Sequence, residues 1–194
     1  CSSLKEIPLG ASLRTVGSLA FDGCSSVTAL KFGVMTDSIS ADAFNNMSAL
    51  CEILVDVQNK TYTSLGGALV DITGKRLLLM PKKSSAAEYV APAYVTEIAD
   101  NAFNGCTALK SVALPEGLLK IGSHAFFGAS ALESINIPKS VSEIGGLAFY
   151  GTEYYDSLTE EFTVVGDGIL VKYYPQREGS SFLATEHARP IFDG

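Results

Sequence analysis

Apolar residues recur along this chain at distances that neither a helix nor a lone strand would impose. Counted from the first residue of the unit 106–128, they stand at offsets 3, 6, 8, 12, 15, 19 and 20, as Leu109, Val112, Leu114, Leu118, Ile121, Ala125 and Phe126. The unit 129–151 repeats these offsets with Leu132, Ile135, Ile137, Val141, Ile144, Ala148 and Phe149. Units beginning at Cys1 and Cys24 keep the pattern, with Thr36 as the polar exception. Ala-Phe pairs mark the period at Phe21, Phe44, Phe103, Phe126 and Phe149, with spacings of 23, 59, 23 and 23 residues. A repeat this short cannot bury its apolar face alone, so the pattern predicts stacked coils that cover one another.

Offsets 6 and 8 fall on one side of an extended segment, which predicts one short strand per coil with these residues inward and offsets 5 and 7 outward. Stacking aligns the strands as a parallel sheet. Pro115 and Pro138 follow the strand and end its ladder, since proline lacks the N–H. The Ala-Phe pair is predicted to close the opposite side, each Phe stacking on the next. Glycines 23, 105, 128 and 151 follow the Phe by two residues, where a tight turn needs positive φ.

The 59-residue interval exceeds one period by 36 residues. It reads as a third unit that starts with Met47, Leu50, Ile53 and Val55 and resumes at Tyr89, with an insertion between. Inside the insertion, SLGGALVDITGKRLLLMP predicts a β-hairpin around Asp71–Gly74 that projects from the solenoid, and TVVGDGILVKYYP predicts a second one after the last unit. The expected organisation is one solenoid over residues 1–175, with hairpin inserts near 62–81 and 162–175, followed by an unassigned tail or cap at 176–194.

The ordered set L-x-x-I-x-L-P-x-x-L-x-x-I-G-x-x-A-F, read from Leu109 to Phe126 and again from Leu132 to Phe149, resembles the BspA-like, treponemal-type leucine-rich repeats of bacterial surface proteins. The resemblance implies a mainly β fold with short helical or turn segments: a right-handed leucine-rich-repeat solenoid with a 23-residue period and inserted β-hairpins. It also implies an extracellular or cell-surface location, with adhesion the role usually proposed. Phe32 and Thr36 depart from the pattern in the second unit, and the tail lies outside it.

Composition narrows the function classes. With 47% hydrophobic and 18% charged residues, the chain has the apolar content of an ordered core. A net charge of −7 with scattered basic residues argues against nucleic acid, and no apolar run is long enough to cross a bilayer. Cys1 already occupies the repeat position of Cys24 and Cys106, and Cys-Ser-Ser recurs at 24–26. This favours a repeat residue over a lipidated N-terminus and predicts that more of the protein precedes it. The cysteines show no C-x-x-C spacing and read as buried free thiols, with a Cys1–Cys24 bridge as the less favoured alternative.

Neither His124 nor His187 sits in a catalytic motif, and Glu160, Glu161 and Asp167 read as solubilising charge. The glycine-rich stretches at 65–67 and 166–168 read as hairpin turns. No enzyme activity, cofactor or metal is expected. The remaining role is binding to an extracellular protein or glycan, without nucleic-acid contact or membrane insertion. Candidate contacts are the outward sheet residues Lys31, Glu52, Lys110, Ser111 and Asn136, and the aromatic group Tyr154, Tyr155, Tyr173 and Tyr174 by the second hairpin. Two alternatives stand beside this reading: a structural spacer holding another domain away from the envelope, and a carbohydrate-active enzyme.

Overall fold

The computed structural model describes residues 3–160, 162–173 and 189–190. The first coil, to residue 23, holds β1 (Thr15–Val16), and the second, 24–46, holds β2 (Ala29–Phe32), β3 (Ser38–Ile39) and a 3-10 turn at Ala41–Phe44. The third coil, 47–82, carries β4 (Glu52–Val55), β5 (Tyr62–Leu65), β6 (Ala68–Asp71) and β7 (Arg76–Leu79). Three regular coils follow. They hold β8 (Glu88–Val90) and β9 (Glu97–Ile98), then β10 (Ser111–Ala113) and β11 (Lys120–Ile121), then β12 (Ser134–Asn136) and β13 (Glu143–Ile144). A short helix, α1 (Glu153–Ser157), leads into the antiparallel hairpin of β14 (Phe162–Val165) and β15 (Ile169–Tyr173). The tail, outside the described residues apart from β16 (Arg189–Pro190), lays that strand parallel to β15.

A regular coil thus carries two strands, where the pattern predicts one. The first row lies at offsets 5–7 and includes β8, β10 and β12. The second lies at offsets 14 and 15 and includes β9, β11 and β13, paired in register as Glu97–Lys120–Glu143 and Ile98–Ile121–Ile144. A strand of two residues gives a single polar–apolar step, which is below what alternation along a sequence can reveal. Between the rows, the Ala-Phe corner behaves as predicted. Phe103, Phe126 and Phe149 stack with centroids 4.8 and 5.5 Å apart and ring planes within 9° of parallel. The backbone of each corner also binds the next, Phe103 N–H donating to Ala125 O at 2.6 Å and Phe126 N–H to Ala148 O at 2.7 Å.

Two glycine columns serve different needs. Gly23, Gly105, Gly128 and Gly151 adopt φ between 65° and 74°, the conformation expected of them, and Asn46 fills the same place in the second coil at φ 58°. Gly122 instead provides space. A Cβ there would lie 2.5 Å from Asp100 N and 2.7 Å from Ala99 C of the coil before it. The glycine in the I-G step therefore sets how closely coils approach, a reason that periodicity alone does not disclose.

The 36 extra residues do not divide a unit. Residues 83–105 form a complete 23-residue coil, with Ala86, Tyr89, Ala91, Val95, Ile98, Ala102 and Phe103 at the repeat offsets, and residues 47–82 form an enlarged coil of their own. Nor does the inserted hairpin project. The β6–β7 pair forms around the turn at Asp71–Gly74, but β5, β6 and β7 make a three-strand meander whose last strand joins β9 in parallel, giving the sheet order β13-β11-β9-β7-β6-β5. Ala68, Leu69, Val70, Leu77 and Leu78 are fully buried. Their runs, A-L-V and L-L-L, lack alternation because both faces of the meander are covered.

This enlarged coil splices two half-solenoids. Among the described residues its first-row strand β4 pairs with β2 of the coil before and with no strand of the coil after, while its second-row strand β7 pairs with β9 of the coil after. The core divides along the same line: Leu69 and Leu78 belong to the N-terminal cluster with Leu30 and Ile53, and Val70 and Leu77 to the C-terminal cluster with Ile98 and Ile121. Polar side chains close the seams where ladders stop. Asn59 stands at offset 12, and its amide donates to Gly33 O and Thr36 O at 2.8 Å each and accepts from Thr61 and Tyr62 N–H at 2.9 and 2.8 Å. Thr36, the polar exception, gives its hydroxyl to Leu13 O at 3.1 Å. Tyr62 OH takes the Ile39 N–H at 2.8 Å, and Ser64 Oγ donates to Ile53 O at 2.6 Å.

Candidate functional site

The outer face of the first row comprises Ala29 and Lys31 with Glu52 and Leu54 on the β2–β4 sheet, then Glu88 and Val90, Ser111 and Ala113, and Ser134 and Asn136 on the separate β8–β10–β12 sheet, each set aligned by its own strand register. Glu88 and Val90 belong to the full coil that periodicity alone merged into the third unit, and so escaped notice. Val90 is 75% exposed and Leu54 42%. Lys31, Glu52 and Lys110 are exposed and Ser111 half-buried on this face. Asn136 is committed to the fold: its amide accepts from Leu114 N–H at 2.9 Å and donates to Leu114 O at 3.2 Å, extending the ladder by one side chain.

The second row offers a contrast. Its outward charges alternate in sign along the stack, with Arg76 pairing to Glu97 at 3.2 Å and Lys120 to Glu143 at 2.5 Å. The Glu143 carboxylate, bonded to the Lys120 ammonium, pushes that lysine above the usual amine range. Charges that satisfy one another have little left for a partner.

The aromatic group separates on inspection. Tyr154 is half-buried, packs edge-on against Phe149 at 5.6 Å and has its pKa raised by burial, so it seals the end of the Phe stack. Tyr155 carries Lys172 Nζ 4.7 Å above its ring, and the same ammonium donates to Tyr155 O at 2.7 Å, tying α1 to β15. Tyr173 lies on β15, its side chain outside the described residues, as is all of Tyr174. The Gly66–Gly67 and Gly166–Gly168 stretches form the β5–β6 and β14–β15 turns at positive φ, in line with their reading as hairpin turns.

A cleft of about 260 Å³ opens beside the splice, and nothing in the periodic pattern points to it. Ile98 to Phe103 and Ile121 to Phe126 each take five steps, but Leu77 to Met80 takes three. Met80 fills the Phe place, its N–H donating to Ala102 O at 2.7 Å, and the corner of the third coil stays short. The neighbouring corners flank the gap: Ala41, Phe44, Asn45 and Asn46 on one side, Asp100, Asn101 and Asn104 on the other, with Leu79 and Lys82 between.

His124 is half-buried at φ 55° with its ring 5.4 Å from Phe127, and His187 lies outside the described residues. Cys24 and Cys106 are buried free thiols as expected, and burial pushes Cys106 up to about 12. Cys51 is free but exposed, which corrects the reading of it as buried, because offset 4 faces solvent. Cys1, and with it the Cys1–Cys24 bridge, lies outside the described residues. No group of three or more potential metal ligands occurs among the described residues. No helix there is long and apolar enough to cross a membrane.

The sequence of these coils matches the BspA type leucine rich repeat region, in six copies over residues 1–66 and 82–169. The chain belongs to that family. The matched span omits 67–81, which holds β6 and β7 of the meander. Among solved structures, the chain is similar to the pneumococcal vaccine antigen PcpA, at 27% identity and TM-score 0.66, over 73% of this chain and 41% of that one. It is also similar to a leucine-rich repeat protein from Eubacterium ventriosum, at 27% identity and TM-score 0.57, over 62% of this chain and 32% of that one. The chain therefore spans about two fifths or less of the length of these relatives. No curated protein sequence matches it.

Proposed function

We propose that this chain is a non-catalytic binding module of a bacterial surface or secreted protein, and that it engages an extracellular protein through the outer face of the first strand row. The observation that carries this reading is the contrast between the two rows. One neutralises its own charges, whereas the other leaves Lys31, Glu52, Glu88 and Lys110 in solvent beside the exposed apolar groups Leu54 and Val90. Mixed charge around apolar contacts is the composition of a protein-binding rim and centre. The likeness to a vaccine antigen supports exposure to the outside.

The test is binding of the folded chain to an array of matrix proteins and mucins, beside the double variant Lys31→Glu/Lys110→Glu and the variant Val90→Asp. Saturable binding, weakened about tenfold or more by either variant, is the expected result. Uniform silence from a folded chain would overturn the proposal in favour of a spacer.

A further inference from the structure

We propose that the cleft beside the splice is a second binding site, taking one ring of a neutral saccharide. The cleft lies where the third coil turns its corner in three steps rather than five, an irregularity that the regular coils 83–151 do not share. At about 260 Å³ it falls just below the roughly 300 Å³ at which pockets for drug-sized ligands begin, a size suited to a single ring.

Its lining has the chemistry that reads hydroxyl groups. Side-chain amides stand on both walls: Asn45 from the second coil, and Asn101 and Asn104 from the fourth, while the Asn46 amide is already spent on Asp22 Oδ1 at 2.8 Å. An amide presents a donor and an acceptor side by side, as vicinal hydroxyls do. Asn104 Nδ2 donates to Asn101 Oδ1 at 2.9 Å, which fixes that pair while leaving further donor and acceptor capacity. Asp100 Oδ1 holds Ser123 N–H at 2.8 Å, and its second oxygen remains an acceptor. Lys82 and the Asn45 amide make no hydrogen bond within the described residues. Phe44 and Leu79 are buried and give the cleft a small apolar floor. One ammonium and one carboxylate in the same lining favour a neutral ligand over an acidic one.

The experiment titrates the whole chain with methyl glycosides of glucose, galactose, mannose and N-acetylglucosamine, and with N-acetylneuraminic acid, following the Asn side-chain amide resonances by heteronuclear NMR. Expected is a saturable shift of the Asn45, Asn101 and Asn104 amides with at least one neutral glycoside. The variant Asn45→Ala/Asn101→Gly should weaken that binding at least about tenfold. Asn101 sits at φ 59°, where glycine keeps the backbone without strain, so a preserved spectrum elsewhere shows that the fold survives. Shifts with the acidic sugar alone, silence with all five, or equal binding by the variant would overturn the proposal. Because Lys31 and Lys110 lie on the sheet face, their double variant should leave this titration unchanged, so the two sites fail or stand separately.

Discussion

The regular coils, residues 83–151, and the enlarged coil, residues 47–82, solve the same problem with different materials. The regular coils repeat: two parallel rows, a Phe stack, and glycines that let backbones approach. The enlarged coil shares one row with each neighbour and replaces repetition with a buried meander and single polar side chains such as Asn59. In the first case stability comes from many equivalent interfaces, in the second from a few contacts that have no substitute. The difference teaches what a change removes at each place. A regular interface has neighbours of its own kind, but the splice has none.

The largest expected effect lies in the regular stack. Phe126 touches Phe103 on one face and Phe149 on the other, so Phe126→Ala should cost about 3–5 kcal/mol in denaturant unfolding. A loss below about 1 kcal/mol would show that the stack is ornamental to stability. Next comes the splice. Asn59→Ala unpairs four backbone groups, of which Thr36 O and Tyr62 N–H are in buried bonds; at about 1–3 kcal/mol for each of these two, the cost should be about 3 kcal/mol.

The sharper readout is hydrogen exchange. The Ile39 amide, held by Tyr62 OH, should lose protection while Gly145, bonded to Ile121 O, keeps it. Uniform loss along the chain would mean that the halves are not separable. The smallest effect concerns coil spacing. Gly122→Ala should cost about 1–3 kcal/mol by overpacking, whereas Gly117→Ala, with open space around it, should be neutral by thermal melts. Equal behaviour of the two would remove close approach as the reason for the I-G glycine.

The regular coils were legible because seven apolar offsets, a proline and a glycine all repeat at one distance, and each has a local physical meaning. The enlarged coil hid for particular reasons. Met80 replaces Phe, so the Ala-Phe marker is missing. Ala86 replaces Leu at the next unit's first apolar offset, so KSSAA resembles a linker. Asn59 looks like a surface residue until its four bonds are seen. The Lys31 face follows from strand alternation and could be read directly. The cleft could not, since it depends on a corner two residues shorter than its neighbours and on side chains brought together from coils that are not adjacent in sequence.

The alternating charges on the second row also bear on how such a gene can change length. Remove the coil 83–105 and Arg76 comes to lie beside Lys120; remove the coil 106–128 and Glu97 meets Glu143. Either single excision turns attraction into repulsion, while excision of both sets Arg76 against Glu143 and restores the sign. A single excision in this stretch therefore trades an attractive contact for a repulsive one at a surface cost of a few tenths of a kcal/mol, and a paired excision does not.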